Sequence, residues 1–158
     1  MIDEIDRQIL AILQDNARIA NAEIARQVGM APSAVLERIR KLEERGVIQG
    51  YHASICPDAY GLALTAYVFV RADERAGAPN TAHRMAEIAE VQEVHHVAGE
   101  DCFLAKVRVR GPRELGRLLQ DKFGAIDTIR STRSTIVLDT IKETSALARP
   151  SRGEDDHG

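Results

Sequence analysis

The sequence lacks the features that mark membrane, secreted and disulfide-bonded proteins. No apolar run approaches the ~18–20 residues of a membrane-spanning helix, and the acidic stretch MIDEIDRQ at the start has no basic region of a secretory signal. Two cysteines, Cys56 and Cys102, are too few for a disulfide framework and favour a reducing compartment. We therefore expect a cytoplasmic protein with no membrane partner.

An excess of basic charge is also missing. The chain has 21 Lys and Arg against 24 Asp and Glu, so its net charge is −3. Binding to a nucleic acid would therefore need a local basic cluster, because the field of the whole protein does not attract polyanions. The 158 residues do include 44% hydrophobic side chains, which suffices for one compact domain or two small ones and excludes a disordered chain.

Sequence signatures of catalysis and metal binding are missing too. There is no Ser-His-Asp spacing, Walker loop or glycine-rich dinucleotide fingerprint. Adjacent His95 and His96 would point to opposite faces of a strand, so they cannot share a metal ion. We expect no catalytic residue, no metal site and no cofactor.

The first 48 residues carry apolar side chains at helical spacing. A helix over 3–15 has one apolar stripe, formed by Ile5, Ile9, Ile12 and Leu13. A short helix follows over 21–28 with Asn21 as its N-cap, and a third begins at Pro32 and ends near Gly46. The turn of residues 29–31 between them predicts a helix-turn-helix.

The exposed face of the third helix has the side chains that a DNA-reading helix needs. Ser33 and Ala34 are short and permit close approach to the major groove, while Arg38 and Lys41 supply donors one or two turns later. Glu37 would accept a hydrogen bond from cytosine N4 or orient Arg38.

Other arginines are candidates for phosphate contacts, which position a protein without specifying sequence: Arg40, Arg18 and Arg26. The opposite side of the helix is predicted to pack on the first two helices through Val35, Leu36, Ile39 and Leu42. The alternative is an ordinary solvated helix, because residues 1–50 hold seven basic and eight acidic side chains, a net charge of −1.

The second half alternates β-branched runs with helical stretches. Its predicted elements are strands at 64–71, 91–98, 102–109 and 126–141 and helices at 81–89 and 112–123. The order βαββαβ is that of a ferredoxin-like domain. Both faces of its sheet would be apolar, and a symmetric dimer is the economical way to cover the second face.

The sequence thus predicts an α+β protein. A helix-turn-helix (winged-helix-like) domain spans 1–48, a linker strand and turn spans 49–61, a ferredoxin-like domain spans 62–143 and a flexible tail spans 144–158. The connecting strand is expected over 47–55, before a turn at Pro57.

Several pieces of the chain, in order and spacing, resemble the Lrp/AsnC family of bacterial and archaeal regulators. These pieces are DRQIL at 6–10, NARIANAEIA at 16–25, PSAVLERIRKLEERGVI at 32–48, GYHA at 50–53, VAGEDCFLAKVRV at 97–109 and TRSTIVL at 132–138. The resemblance covers Ile5 to about Glu143. It implies a sequence-specific transcription regulator whose assembly or DNA affinity is modulated by a small molecule, typically an amino acid. It also implies a homodimer that assembles further into an octamer or similar ring.

The resemblance places the effector where dimers meet, at Gly99, Glu100 and Asp101, with Thr132 and Ser134 from the last strand. Backbone amides around Gly99 would hold a carboxylate and Asp101 would pair with an α-ammonium group. The alternative is that 99–101 is only a polar hairpin turn.

The chain departs from the family pattern at two positions. Ala31 stands where many members have a Ser N-cap, and Cys102 stands where many have Asp in a Gly-x-x-Asp hairpin. Two other functions remain open: a metabolite-binding sensor or enzyme subunit, and an architectural DNA binder without a ligand.

Overall fold

The structure is a computed structural model that describes residues 2–73 and 81–148. The chain divides into two compact units. One ends at Ala53 and also includes the C-terminal segment from Glu143, and the other is Ser54–Lys142. The predicted linker 49–61 is therefore shared between the two units. None of the helices in the described ranges is long and apolar enough to cross a membrane.

The N-terminal unit is built from three helices, α1 (Glu4–Asp15), α2 (Asn21–Val28) and α3 (Pro32–Glu44). Asp3 caps α1 by accepting a hydrogen bond from the Asp6 N–H at 2.8 Å. A buried cluster at the crossing of the three helices comprises Ile9, Ile24, Ala25, Val35 and Ile39. These side chains are the ones that helical periodicity placed on the inner faces.

Two local predictions for this unit are wrong. Asn21 is the first residue of α2 and not its N-cap, which is Ala20 with no side-chain hydrogen bond. Residues 47–55 form no strand. Gly46 takes a left-handed φ of +69°, and the following N–H groups of Val47 and Ile48 return to the Leu42 carbonyl at 2.9 and 3.1 Å. The backbone is thus bonded to the end of α3 where the strand was expected to begin.

The second unit is a four-stranded antiparallel sheet with helices in the chain order βαββαβ, which confirms the ferredoxin-like prediction. Its elements are β1 (Leu64–Ala72), α4 (Thr81–Ala86), β2 (Val91–His96), β3 (Phe103–Val109), α5 (Pro112–Arg117), a π-helical segment (Leu118–Phe123) and β4 (Ile129–Ile136). The sheet order is β2-β3-β1-β4.

The last strand is much shorter than the predicted 126–141. Ile126 is a buried turn residue whose N–H donates to the Phe123 carbonyl at 3.0 Å. Beyond the strand, the Val137 N–H still reaches Thr65 of β1 at 2.9 Å, whereas Leu138 and Ile141 are exposed. Apolar content alone therefore overestimated the strand, because within the described residues its backbone bonds to β1 and to Asp73 after it extend only from Thr128 to Val137.

The two faces of the sheet differ in polarity. The face toward the helices is a continuous core that includes Ala66, Val68, Val70, Phe103, Ala105, Val107 and Val109. The other face has half-buried Tyr67, Phe69 and Leu104, together with Lys106 and Arg133. The expectation of two apolar faces is thus wrong for the second face, which has an apolar centre between charged residues.

The C-terminal segment has neither helix nor strand as far as residue 148. It is nevertheless attached to the N-terminal unit, because the Leu147 N–H donates to Gln14 Oε1 of α1 at 2.7 Å. The rest of the predicted tail, 149–158, lies outside the described residues.

Candidate nucleic-acid interface and effector site

The DNA-reading candidates lie on the side of α3 away from the core. Ser33, Glu37, Arg40 and Lys41 are exposed, and Ala34 is half-buried. The helix begins with Pro32 after an extended Ala31, which makes no side-chain capping bond. The predicted absence of a cap at Ala31 is confirmed. No bulky side chain of the first turn therefore obstructs the approach to this face.

Acidic side chains on the same helix hold two of these cations. Glu37 contacts Arg40 Nη2 at 3.1 Å and Lys41 Nζ at 3.5 Å, and Arg40 Nη1 also lies 2.7 Å from Glu44. The Arg40 guanidinium lowers the pKa of Glu37 below its usual value, so this carboxylate is ionised near neutral pH. Glu37 thus orients Arg40 and Lys41, and not Arg38 as one alternative expected.

Arg38 is half-buried, and its guanidinium is engaged by acidic side chains of α1 and its N-cap. Its Nη1 donates to Asp3 Oδ2 and to Asp6 Oδ1, both at 2.7 Å. The pKa of Asp3 is lowered, first by the hydrogen bond from the Asp6 N–H and then by Arg38. Arg38 therefore ties α3 to the N-terminal capping box of α1, a role that spacing along α3 did not indicate.

The two remaining arginine candidates differ in their partners. Arg26 is bonded to Glu23 at 2.6 Å, and this contact is the main cause that lowers the pKa of Glu23 to about 2. Arg18 is exposed in the α1–α2 turn, and its side chain has no partner among the described residues. Within the described part of this unit, Arg18 is the one Lys or Arg whose side chain has no partner.

A shallow groove of about 260 Å³ lies beside α3 and includes residues that the sequence did not single out. Its lining comprises Leu13, Ala17, Ile19, Asn21, Leu36, Ile39, Glu43 and Tyr51. Leu36 is 55% exposed, so the prediction that it packs in the core is wrong. Tyr51 donates its hydroxyl to Glu43 at 2.9 Å, and burial together with that carboxylate raises the pKa of Tyr51 to about 12.

The effector candidates lie around the β2–β3 hairpin. Gly99 is exposed with φ of +143°, a conformation that residues with a Cβ rarely adopt. Asp101 is engaged by Arg133 Nη2 at 3.0 Å, and Glu100 lies 3.7 Å from Arg71. The sequence did not identify either arginine, because the two acids and their partners are far apart along the chain.

Strand register sets the position of the remaining effector candidates. Thr132 pairs with Val70 and Ser134 with Val68, so both side chains share the helix-facing side of the sheet. Arg133, between them, lies on the opposite side and stacks its guanidinium 4.1 Å from the centre of the Phe69 ring. No side-chain hydrogen bond joins Thr132 or Ser134 to the hairpin within the described residues.

Cys102 anchors the hairpin to the neighbouring strand. Its Sγ donates to the Ala72 carbonyl at 3.4 Å and its N–H to the Val70 carbonyl at 2.9 Å. The thiol therefore occupies a structural position at the base of the hairpin. No group of three or more His, Cys, Asp or Glu that could hold a metal ion occurs in the described ranges.

Comparison with known proteins accounts for both units. Residues 2–49 match the family model of a winged helix-turn-helix DNA-binding domain, and residues 65–147 match the Lrp/AsnC ligand binding domain. The chain belongs to the Lrp/AsnC family. The predictions of the family, of the α+β fold and of a DNA-binding transcription regulator with a ligand-binding domain are confirmed.

Relatives in this family match more than nine-tenths of the chain. The HTH-type transcriptional regulator FL11 of Pyrococcus horikoshii is 37% identical over 147 residues, 92% of this chain and 95% of the relative. The leucine-responsive regulatory protein of Escherichia coli (strain K12) is 36% identical, over 96% of this chain and 93% of the relative. The feast or famine regulatory protein of M. tuberculosis, solved as a complex with L-methionine, has a TM-score of 0.87 at 37% identity. That comparison covers 95% of this chain and all (100%) of the solved one.

Proposed function

We propose that this Lrp/AsnC regulator reads its operator with the exposed face of α3. Ser33, Ala34, Glu37 and Lys41 would face the major groove. Arg40 and Arg18 would contact phosphates, while Arg38 would position α3 through its contacts with α1. The observation that carries this proposal is that the candidate readers lie together on the side of α3 opposite the buried Val35, Ile39 and Leu42. A helix with this polarity presents one continuous polar face to a duplex.

The test is DNA binding to the chain's own promoter region, measured by footprinting and fluorescence anisotropy. Lys41→Gln and Arg18→Gln should each weaken binding and reduce its salt dependence, because each removes a donor from the proposed interface. Lys142→Gln is the matched control, since Lys142 is an exposed cation of the other unit without a partner among the described residues. Equal affinities for all three variants would contradict the proposed reading face.

We further propose that the ligand is a free amino acid bound at the β2–β3 hairpin, with Thr132 and Ser134 contributing from β4. The ligand-binding domain and the L-methionine complex of the M. tuberculosis relative support this proposal. In this chain Glu100 and Asp101 are the acidic groups available for an α-ammonium, and Asp101 must then share or leave Arg133. Exposed amides at Gly99 suit the α-carboxylate.

Isothermal titration with a panel of amino acids that includes L-methionine and L-leucine tests the ligand. Asp101→Asn should weaken binding, and Asp127→Asn, an acidic exchange elsewhere in the same unit, should not. Absence of heat with every amino acid would contradict the proposal and favour an architectural DNA binder.

An amino-acid-responsive regulator would act on the chromosome in the cytoplasm, without an enzymatic step and without a cofactor.

Assembly is proposed to use the face of the sheet opposite the described helices. Tyr67, Phe69 and Leu104 form its half-buried apolar centre, and a symmetric contact would remove this surface from water. Dimers would then associate into an octamer or similar ring. Light scattering after size exclusion, with and without amino acids, measures the mass, and Phe69→Glu should reduce it. A measured wild-type mass of 17.4 kDa, which is that of a single chain, both with and without amino acids would exclude assembly.

A further inference from the structure

Two arginines one helical turn apart on α5 have no acidic partner. Nearly every described Lys and Arg makes an ion pair or a side-chain hydrogen bond. The four that have no partner among the described residues are Arg18, Arg113, Arg117 and Lys142. Arg18 and Lys142 belong to different units. Arg113 and Arg117 instead stand at i and i+4, with Cβ atoms about 5–6 Å apart on one helix face.

The nearest acidic side chain on α5 is turned away from them. Glu114 accepts the Arg110 N–H at 2.6 Å through Oε2, and its Oε1 lies 4.0 Å from Arg110 Nε. This carboxylate is therefore used to hold the start of α5 and a third arginine. It leaves the charges of Arg113 and Arg117 without a hydrogen-bonded counter-charge.

The next acidic side chain along the chain does not pair with Arg117 either. In a continuous α-helix, Asp121 would be the i+4 neighbour of Arg117 and would suit an ion pair. The helix instead changes to a π-helical segment at Leu118, and no ion pair joins Arg117 to Asp121 among the described residues. Lys122, in the same segment, is bonded to Glu90 at 2.7 Å.

The surface around the two arginines is polar, and at Gly116 it has no side chain. Gly116 lies between them in sequence, is exposed, and has open space where a side chain would be. Gln120 is exposed at the next turn. Two planar guanidinium groups above a bare stretch of helix can each donate two parallel hydrogen bonds to phosphate oxygens. We call this surface, formed by Arg113, Gly116, Arg117 and Gln120, the α5 stripe.

We propose that the α5 stripe binds the phosphate backbone of duplex DNA, as a contact surface of the ligand-binding domain in addition to α3. Duplex DNA is the polyanion that the winged helix-turn-helix domain of this chain is expected to bind. Each DNA strand presents one phosphate charge every ~3.4 Å along the axis. The net charge of −3 means that the protein as a whole does not attract DNA. The unpaired guanidinium groups of Arg113 and Arg117 supply the attraction locally. The contact is independent of base sequence, because it involves no base edge.

Salt-dependent binding to a mixed-sequence duplex of about 150 base pairs, one persistence length, tests the stripe. The variant Arg113→Gln/Arg117→Gln should lower the slope of log affinity against log salt by about 1 for each phosphate that is no longer bound, hence by about 2. Arg130→Gln/Lys142→Gln makes the same change in net charge in the same unit, outside α5, and should leave the slope at the wild-type value. Both arginines of the stripe are exposed and unpaired, so the variant should keep the wild-type thermal unfolding curve.

The stripe and the proposed reading helix fail in different ways. If the stripe variant and its control have the same slope, the inference is overturned, even if Lys41→Gln still weakens promoter binding. A stripe that served an acidic protein instead of DNA would give that same result. A lower slope in the stripe variant alone, with an unchanged footprint position, supports a phosphate contact separate from operator reading.

Discussion

Glu37 is expected to restrain DNA binding, because it holds two cations of the reading face. Its carboxylate contacts Arg40 at 3.1 Å and Lys41 at 3.5 Å. The substitution Glu37→Gln keeps the shape of the side chain but removes the charge that attracts both groups. It also removes a negative charge that would face the phosphates. We therefore expect tighter binding to mixed-sequence DNA and a steeper dependence on salt.

The size of the effect follows from which cations are released. Glu37 is the only partner of Lys41 within the described residues, whereas Arg40 keeps Glu44 at 2.7 Å. On mixed-sequence DNA, where Lys41 has no operator base to contact, it is therefore free to bind one phosphate, which steepens the slope of log affinity against log salt by about 0.9. Between about 50 and 200 mM salt, that slope changes the affinity ratio by roughly threefold to fourfold. The double variant Glu37→Gln/Glu44→Gln also frees Arg40 and should steepen the slope by about 1.8.

Fluorescence anisotropy over a salt series measures both slopes. Glu43→Gln is the matched control, because it removes one charge from the same helix but its carboxylate accepts the Tyr51 hydroxyl and holds no cation among the described residues. Equal slopes for Glu37→Gln and Glu43→Gln would refute the restraint. The restraint would also be refuted if Glu37→Gln/Lys41→Gln showed the same steepening of about 0.9 as Glu37→Gln alone. On promoter DNA, a loss of affinity in Glu37→Gln would instead show that this carboxylate contacts a base.

Three further predictions concern stability. The pKa of Asp3 is lowered in the folded state by the hydrogen bond from the Asp6 N–H and then by Arg38. These contacts therefore stabilise the fold above the ordinary pKa of 3.8, and the stabilisation is lost as the pH falls further below it. The difference in Tm between wild type and Arg38→Gln should therefore shrink in acid. Leu36→Ala should lower the free energy of unfolding in urea by less than about 1 kcal/mol, since more than half of Leu36 is exposed. Ile39→Ala, which empties a buried position, should cost about 2–5 kcal/mol; equal losses would contradict the observed packing. Gly99→Ala should cost about 1–3 kcal/mol because of its φ of +143°, and a neutral result would show that the hairpin relaxes.

Local periodicity was sufficient to predict the helices and the order of helices and strands along the chain. The bounds of α1 and α3 agree with prediction within a few residues because their apolar stripes repeat at 3.6 and their ends carry Asp3 and Pro32. The segment 47–55 has the composition of a strand, yet its first N–H groups bond to Leu42. Whether a β-prone segment becomes a strand depends on a neighbour with free backbone groups, which composition does not reveal.

The candidate site was predictable in position but not in its ion pairs. Helical spacing identified the exposed face of α3, including Ser33 and Lys41. It did not reveal that Arg38 would bond to Asp3 and Asp6, because those carboxylates lie more than 30 residues earlier. The same limit applies to Asp101, whose partner Arg133 lies on a strand two positions away in the sheet. Long-range charge pairing is set by tertiary contacts, and a linear pattern does not contain them.

These ion pairs also bear on how the proposed assembly would strengthen DNA binding. Most cations of the N-terminal unit are held by acids of the same unit, such as Arg26 by Glu23 and Arg40 by Glu37, so one unit displaces few counterions from DNA. Linking several units makes each later binding event intramolecular, at an effective concentration near the millimolar range, and raises avidity by about 10²–10⁴ with the same interface on each unit. A ligand that changes how copies associate would then change DNA occupancy without touching α3. On this reasoning, a variant that cannot assemble should lose most of its affinity for a multi-site promoter while it keeps the weak affinity of one isolated unit for a single site.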